Sequence, residues 1–322
     1  MDFINGITFG FMNRCGEWDT AESYESLRLL KSRTGANTVI LAVVAEQDTP
    51  WSTTIHYQDD WNLTDDEVIK MIRYAQSLDL QVILKPMVNV SDGTWRAHIN
   101  FFDHAAPVEP TWEAWFTSYN AYILHYADIA EQTNIEMLVI GCELVNSDRR
   151  ENEWRELVAQ VREHYKGLIT YNCDKFQEDA VTWWDAVDVI SSSGYYSVKI
   201  WEKELDRIEQ VIKKFDKPFF FCEVGCASRS GSEFLPNDWR FDGETNLASQ
   251  TNFYQTMFAA CDKRAWVGGF GLWDWKAHLY PIEIAANDND YAIYGKPAEE
   301  IVSLWFTNNS NSTSLKEVRY DK

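Results

Sequence analysis

Short apolar runs alternate with amphipathic segments along the chain, and this alternation is the strongest pattern in the sequence. The apolar runs are rich in β-branched or aromatic residues, which is typical of parallel strands that are covered on both faces. We therefore predict strands at residues 4–11, 37–44, 80–88, 135–143, 167–172, 187–195, 218–224 and 266–275.

The segments between these runs have the sequence features of helices. In residues 20–35, Thr20 can cap the first turn and Gly35 can end the helix. In residues 64–79, acidic residues occupy the first turn, where the helix dipole favours them. Further helices are predicted at residues 110–133, 151–165, 201–215, 247–263 and 296–306.

Eight strands that alternate with helices over about 300 residues predict an α/β fold, a single (β/α)8 TIM barrel. A doubly wound sheet would usually carry a Gly-rich phosphate-binding turn after its first strand, and the sequence has none there. No internal repeat or linker divides the chain. We predict a catalytic domain at residues 1–306 and a polar, poorly ordered C-terminal tail at residues 307–322.

Composition and charge narrow the possible partners. The chain of 322 residues is 45% hydrophobic and 15% aromatic, as a globular protein is, and its net charge is −21. This charge repels phosphate groups, so we predict that the protein binds neither nucleic acid nor anionic membranes. Neutral substrates remain, and the 15 tryptophans include candidates for stacking on sugar rings, although most should pack in the core.

The sequence indicates a reduced, cytoplasmic protein. It begins without the basic and apolar regions of a signal peptide, and no apolar run is long enough to span a membrane. The six cysteines are scattered without the spacing of a disulfide framework or a zinc site. The six histidines are dispersed too, so we predict neither a metal site nor a cofactor.

Two glutamates end strands on opposite sides of the predicted barrel mouth. Glu143 ends the fourth strand and Glu223 ends the seventh. Active sites of barrels lie at the carboxyl ends of the strands, and two carboxyl groups facing each other can hydrolyse glycosides. One must hold a proton for the leaving oxygen, whereas the other must be ionised. Each glutamate taken alone could instead form a salt bridge within the barrel.

Four segments resemble the clan of retaining (β/α)8 glycoside hydrolases and, within it, glycoside hydrolase family 113, the β-mannanase family. They are "LKPMVNVSDGTWRAHINF", "VIGCELVN", "FFFCEVGCAS" and "GLWDWKAH", within a resemblance over residues 4–306. The resemblance implies that Glu143 is the general acid/base and Glu223 the nucleophile, with carboxyl groups roughly 5–5.5 Å apart. It implies a substrate with β-1,4-mannosidic bonds, mannan or a manno-oligosaccharide.

The resemblance also implies a tyrosine at the end of the sixth strand that hydrogen-bonds the nucleophile. We predict Tyr196 for this role, with Tyr195 as the second candidate, and Trp273 as the floor beneath the sugar. The clan usually has Asn before its acid/base glutamate, but this chain has Cys142. Asn146 is the predicted replacement as partner of the sugar 2-hydroxyl.

Other residues near the strand ends are predicted to bind substrate. Lys85 ends an apolar strand and needs a partner, either a carboxylate or sugar hydroxyls. The remaining predicted contacts are Asn89, Trp95, Arg96, His98, Tyr195 and Trp275, and tryptophans in predicted loops, Trp18, Trp51, Trp61 and Trp239, are further candidates for stacking. Each of these residues could instead serve as packing or loop scaffold.

Several alternatives stay open. A related β-1,4-glucanase or β-glucosidase would share the catalytic glutamates, and a non-catalytic sugar-binding barrel would keep the tryptophans but usually lose one glutamate. Serine or cysteine nucleophile chemistry is disfavoured, because Cys222 and Cys226 lack nearby His and acid partners. The long loops at residues 45–62 and 226–246 could close one end of a cleft, so both a β-mannanase and an exo-acting mannosidase are possible.

Overall fold

Eight parallel strands close into one barrel in the computed structural model, which describes residues 2–240 and 242–317. Each strand pairs with the next one along the chain, and β8 pairs with β1. The strands are β1 (Ile4–Phe9), β2 (Thr38–Gln47), β3 (Gln81–Val90), β4 (Met137–Cys142), β5 (Leu168–Cys173), β6 (Val189–Ser193), β7 (Phe219–Val224) and β8 (Val267–Trp275). The predicted TIM barrel is confirmed.

Helices cover the outside of the barrel. They are α1 (Ala21–Thr34), α2 (Asp65–Ser77), α3 (Trp112–Thr133), α4 (Glu151–His164), α5 (Trp201–Phe215), α6 (Leu247–Cys261) and α7 (Pro297–Glu317). Between β5 and β6 the described chain forms only a short 3₁₀ helix, Trp184–Ala186. Among the described helices, none is long and apolar enough to cross a membrane.

The final helix extends past the predicted end of the catalytic domain at residue 306. Its backbone is helical to Glu317, and the rest of the predicted tail, residues 318–322, lies outside the described residues. The division of the chain at residue 306 therefore stays a prediction.

Local signals set the helix ends, as the first helix shows. The Thr20 side chain accepts a hydrogen bond from the Ser23 N–H group, and Gly35 ends α1 in the left-handed conformation with φ of 73°. A residue without a Cβ atom adopts that conformation at little cost. Thr64 and Glu67 form a reciprocal capping box at the start of α2. Both predicted starts and the predicted end at Gly35 are confirmed.

The apolar core has three parts: an outer one between the barrel and the helices, an inner one inside the barrel, and a smaller one around Tyr195 and Trp273 near the carboxyl ends of the strands. The inner part fills the lower half of the barrel with side chains from Ile4, Ile40, Ile83, Met137, Val139, Val189, Phe220 and Cys222. Above it, toward the carboxyl ends of the strands, buried polar and charged side chains replace aliphatic ones. The lower half of the barrel is therefore filled by apolar side chains, and the side chains that can take part in a reaction lie at its upper end.

The pairing of β7 shifts register just before its glutamate. Ser192 pairs with Phe221, whereas the next residue of β6, Ser193, pairs with Glu223. The side chain of Cys222 already faces the barrel interior, so regular alternation would direct Glu223 outward. An extra residue in a strand reverses the alternation from that point on. The shift therefore brings Glu223 to the inside of the barrel.

Candidate active site

A cavity of about 570 Å³ lies at the carboxyl ends of the strands and brings the two predicted glutamates together. Its wall combines acidic, basic, amide and aromatic side chains. The lining residues are Phe11, Met12, Glu46, Asn89, Val90, Ser91, Gly93, Thr94, Trp95, Arg96, Glu143, Asp174, Lys175, Tyr195, Glu223, Asn237, Trp239 and Trp273.

Glu223 is buried at the end of β7 and is held by two strong hydrogen bonds. Lys85 Nζ lies 2.6 Å from Glu223 Oε2, and the Tyr195 hydroxyl donates to Oε1 at 2.8 Å. Burial alone would raise the pKa of Glu223, but the positive charges of Lys85 and Arg96, with the hydrogen bonds from Lys85 and Tyr195, outweigh it. The pKa of Glu223 therefore lies below its ordinary value, and the carboxylate is ionised.

Lys85 is fully buried at the middle of β3, and its side chain reaches across the barrel interior to Glu223 on β7. Its second hydrogen bond goes to Asn172 Oδ1, at 2.9 Å. Burial lowers the pKa of Lys85, but the acidic groups beside it, Cys142 and Glu223 foremost, raise the pKa above its ordinary value. Of the two partners that the sequence analysis allowed for Lys85, the structure shows the carboxylate.

The prediction that Tyr196 holds the nucleophile is wrong. The Tyr196 hydroxyl donates to Glu178, and its ring packs edge-on against Trp201 of α5, outside the barrel. Tyr195, the second candidate, makes the hydrogen bond to Glu223. Both tyrosines follow the end of β6, and their side chains leave the chain in different directions, so only Tyr195 reaches the cavity.

Glu143 is also buried, but its hydrogen bonds are of a different kind. Ser193 Oγ donates to Oε1 at 2.8 Å, while Trp95 Nε1 and Arg96 Nη1 lie 3.2 and 3.3 Å from Oε2. Arg96 is itself held by Asn89, whose Oδ1 accepts from Nη2 at 2.5 Å. The predicted residues Asn89, Trp95 and Arg96 therefore share the cavity with Glu143 and fix its carboxylate.

A continuous chain of buried hydrogen bonds joins the two glutamates. From Glu223 it runs through Lys85 to Asn172, whose Nδ2 donates to Ser193 Oγ at 3.0 Å, and Ser193 donates to Glu143. Asn172 and Ser193 were not predicted as site residues from the sequence. The available signal was their position, since each is a polar residue at the carboxyl end of a strand that otherwise reads as apolar.

A third carboxyl group, Asp174, lines the cavity and was also missed. It follows β5 directly and is 6% exposed. Burial, and after it the neighbouring acidic group of Glu143, raise the pKa of Asp174 to about 8, against the opposing effect of Lys175. The raised pKa favours the protonated form of Asp174, and in that form its carboxyl group can donate a hydrogen bond into the cavity.

Aromatic faces form the opposite wall. Trp273 packs against Phe11 and Trp239, with ring centroids 4.6 and 5.9 Å apart, and Lys85 Nζ lies 5.9 Å from its ring. Trp239, one of the loop tryptophans considered for stacking, in turn stacks on Tyr291 at 4.4 Å. Flat apolar surfaces beside polar groups suit a sugar ring, whose faces are apolar and whose rim carries hydroxyl groups.

The predicted substrate contact by Trp275 is wrong. Its side chain is fully buried outside the barrel, and Nε1 donates to Ser26 Oγ of α1 at 3.0 Å. The pairing of β8 with β1 shifts register between Leu272 and Trp275. Because of this shift, Trp275 does not share the inward direction of Trp273, although the two are separated by two positions.

Three further predicted residues lie outside the cavity lining. Asn146 Nδ2 donates to the Ala97 carbonyl at 2.8 Å and so joins two loops, and His98 is exposed, edge-on to Trp95. Trp18, considered for stacking, is fully buried. Within the described residues, no three His, Cys, Asp or Glu side chains are grouped in a way that could hold a metal ion.

Comparison with a family model and comparison with solved structures point to the same family. The family model of Glycoside Hydrolase Family 113 matches residues 7–296. The fold is similar to a solved structure described as "Complex structure of GH113 beta-1,4-mannanase", with 54% identity, coverage of 95% of this chain and 99% of the other, and a TM-score of 0.94. No curated protein matches the chain.

A second solved structure, the GH113 beta-mannanase AaManA from Alicyclobacillus acidocaldarius in complex with ManMIm, is 43% identical. The match covers 96% of this chain and 98% of the other, with a TM-score of 0.93. A β-glucuronidase from Ruminococcus gnavus shares the fold alone, at 14% identity and a TM-score of 0.66, over 95% of this chain and 50% of the other. From its fold, its cavity and the match of the family model, the chain belongs to Glycoside Hydrolase Family 113.

Proposed function

We propose that the protein hydrolyses β-1,4-mannosidic bonds by double displacement, with Glu223 as nucleophile and Glu143 as general acid/base. The observation that carries this proposal is the pair of glutamates in one cavity with contrasting surroundings. Both glutamates lie beside a buried cation, but the Lys85 ammonium group is 2.6 Å from Glu223, whereas the Arg96 guanidinium group is 3.3 Å from Glu143. The remaining donors to Glu143 are the neutral side chains of Trp95 and Ser193. The names of the solved β-mannanases that resemble the chain support the choice of substrate.

In the first step, Glu223 attacks the anomeric carbon of the sugar. Its lowered pKa keeps it ionised, and the Tyr195 and Lys85 hydrogen bonds hold both carboxylate oxygens in place. The C–O bond to the leaving sugar breaks, and the electron pair of that bond stays with the glycosidic oxygen. A covalent glycosyl ester on Glu223 results.

Glu143 acts in both steps. It gives its proton to the departing glycosidic oxygen, which leaves as the hydroxyl group of the shortened chain. The resulting carboxylate then takes a proton from a water molecule as that water attacks the glycosyl ester. The ester bond breaks, Glu223 is released as a carboxylate, and the sugar keeps its original anomeric configuration.

The anomeric configuration of the product tests the mechanism. Retention goes with carboxyl groups about 5–5.5 Å apart, and inversion with a separation of about 6.5–9.5 Å. We expect ¹H NMR of a β-1,4-manno-oligosaccharide digest to show the β-anomer first, followed by slow mutarotation. Early appearance of the α-anomer would rule out double displacement.

A substitution of the nucleophile separates catalysis from binding. We expect Glu223→Gln to lower kcat by about 10³-fold or more, because the amide cannot form the ester, while calorimetric binding of manno-oligosaccharides persists. Glu109→Gln changes an exposed glutamate away from the cavity lining and is the matched control. A wild-type protein that binds these sugars without cleaving them would instead be a non-catalytic binding barrel.

The products of β-1,4-mannohexaose distinguish the modes of cleavage. Early release of mannose, with the ladder shortening by one unit, would indicate an exo-acting mannosidase. A mixture of mannobiose, mannotriose and mannotetraose from the start would indicate an endo-acting mannanase. Cleavage of cello-oligosaccharides in place of mannohexaose would move the substrate to β-1,4-glucans. The expected cytoplasmic location stays a prediction, and the mannohexaose digest decides between endo and exo action.

A further inference from the structure

The backbone of Glu143 has an unusual conformation. Its φ angle is 52°, in the left-handed region that residues other than glycine seldom adopt. Such a conformation costs free energy and persists only where surrounding contacts fix it. Because the side chain of Glu143 leaves this backbone, the contacts that fix the backbone also fix the direction of the carboxyl group.

The distortion begins earlier in β4, where an extra residue interrupts the pairing with β5. Val139 pairs with Thr170, and Cys142 pairs with Asn172, so β4 spans three steps where β5 spans two. A bulge of this kind directs the following side chains to a new face. Beyond the bulge, the N–H group of Glu143 donates to the Asn172 carbonyl at 2.8 Å.

The next peptide group is held by a side chain instead of a strand. The Leu144 N–H group donates to the Tyr171 hydroxyl at 3.2 Å, and this hydroxyl donates its own proton to Asp148 Oδ1. Because the one hydroxyl proton is directed to Asp148, a lone pair of the oxygen is left to face Leu144. Tyr171 is fully buried and Asp148 nearly so.

A glycine allows Tyr171 to approach the bulge. A Cβ atom on Gly141 would lie 2.9 Å from the Tyr171 ring and 2.8 Å from that of Trp154. Asp148 is placed in turn by Trp183, whose Nε1 donates to the Asp148 carbonyl at 3.1 Å. The bulge, the ring and the carboxyl group therefore pack as one buried unit behind Glu143.

We infer that Tyr171 and Asp148 are positioning residues for Glu143, a conclusion that rests on the proposed acid/base role of that glutamate. Neither lines the cavity. Tyr171 anchors the peptide that follows Glu143, and Asp148 orients the hydroxyl that makes the anchor. Without them the backbone relaxes from the left-handed region and the acid moves away from the glycosidic oxygen.

The test compares two substrates that differ in their need for an acid. One is the manno-oligosaccharide that the wild type cleaves fastest, and the other is the 2,4-dinitrophenyl glycoside of the same sugar chain. Dinitrophenolate leaves without a proton, and kcat/KM reports the first step alone. We expect Tyr171→Phe to lower the ratio of the two kcat/KM values, oligosaccharide over dinitrophenyl glycoside, about 10- to 100-fold.

The control is Tyr165→Phe, which also removes a buried tyrosine hydroxyl, one that donates to the Ile135 carbonyl just before β4 begins. It should leave the ratio unchanged. If Tyr171→Phe does not fold, Asp148→Ala tests the same unit with the ring in place, and Asp148→Asn, which keeps an acceptor oxygen, should restore the wild-type ratio.

The outcomes separate the two claims. A wild type that cleaves neither substrate would overturn the proposed function. A wild type that cleaves both, with the ratio unchanged in Tyr171→Phe or in Asp148→Ala, would overturn the positioning role, whether or not both rates fall together. A selective loss on the oligosaccharide would support it.

Discussion

Tyr195 and Tyr196 stand side by side in the chain and bind two different glutamates. Tyr195 donates to Glu223 inside the barrel, whereas Tyr196 donates to Glu178 on the outside, where Arg207 also contacts Glu178. Both hydroxyls are buried, and each satisfies a buried carboxylate. The pair therefore offers a comparison in which the same chemical change is made on either side of one strand.

We expect Tyr195→Phe to move the acidic limb of the kcat/KM profile to higher pH. The Tyr195 hydrogen bond lowers the pKa of Glu223, so its removal raises that pKa and the nucleophile is lost to protonation sooner as pH falls. Tyr196→Phe should lower the melting temperature but leave the limb in place. Equal shifts in both variants would mean that the limb does not report Glu223.

Asp174 should make stability depend on pH in the opposite sense to an ion-paired carboxylate. Its folded pKa, raised to about 8, exceeds the ordinary value, so between about pH 4 and 8 the native state holds a proton that the unfolded state has lost. The contribution of Asp174 to the free energy of unfolding is therefore complete below about pH 4, and it decreases as the pH rises from about 4 to 8.

We expect Asp174→Asn to reduce this decline, because the amide does not titrate. Urea unfolding at pH 5, 6, 7 and 8 measures it, and a single group accounts for at most about 1.4 kcal/mol per pH unit. Asp60→Asn, at an exposed aspartate, is the control. Parallel curves for wild type and Asp174→Asn would contradict the raised pKa.

Some site residues could be predicted one by one and others could not. Glu143, Glu223 and Lys85 stand out because a charged residue in an apolar strand needs a partner or a use. Asn172 and Ser193 carry no charge, and their importance comes from neighbours on other strands. Nothing local distinguishes Tyr195 from Tyr196, since the direction of each side chain is seen only in its contact with a distant glutamate, Glu223 or Glu178.

At the scale of elements, the strands were easier to predict than their irregularities. Every predicted strand overlaps an observed one, because apolar runs and caps such as Thr20 and Gly35 are local signals. The register shifts in β4, β7 and β8 depend on how each strand pairs with its neighbour, so they cannot be recognised from the sequence of a single strand. The misplaced Trp275 follows directly from the shift in β8.

We expect Gly141→Ala to disturb the β4 bulge and reduce kcat, because the new methyl group would lie 2.8–3.0 Å from Trp154, Tyr171 and Tyr119. Overpacking of this kind costs about 1–3 kcal/mol of stability. Gly167→Ala crowds Tyr165 at the start of β5, far from the cavity. Both variants should have a lower melting temperature than the wild type. Only Gly141→Ala should also lose activity at temperatures well below its own melting temperature. Full activity in Gly141→Ala would show that the bulge tolerates displacement.

At the scale of the whole molecule, the sequence predicted the barrel because the same alternation repeats around it. Closure requires β8 to pair with β1, and this pairing joins residues from opposite ends of the chain. The connection from β5 to β6 departs from the repeat, since it contains only the short 3₁₀ helix Trp184–Ala186 among the described residues. The barrel is still closed there, because β5 pairs directly with β6 although only this short helix lies in the connection between them.

Because of the net charge of −21, the stability of the molecule should depend on salt, whereas its activity on a neutral substrate should not. Like charges repel one another across the surface, and the screening length falls from about 30 Å at 0.01 M salt to about 10 Å at 0.1 M. We expect the melting temperature to rise by a few degrees between these concentrations, while kcat/KM for a neutral manno-oligosaccharide stays constant. A lower melting temperature in salt would mean that surface ion pairs outweigh the repulsion.

The salt bridge between Lys85 and Glu223 changes character during the proposed reaction. Once Glu223 is esterified, its carboxyl group carries no net charge, but Lys85 remains an ammonium group with no exposure to water. The favourable pairing returns only when the ester breaks and the carboxylate is released. Lys85 therefore makes Glu223 a better leaving group, and the glycosyl-enzyme should be shorter-lived than one whose nucleophile has no buried cation beside it.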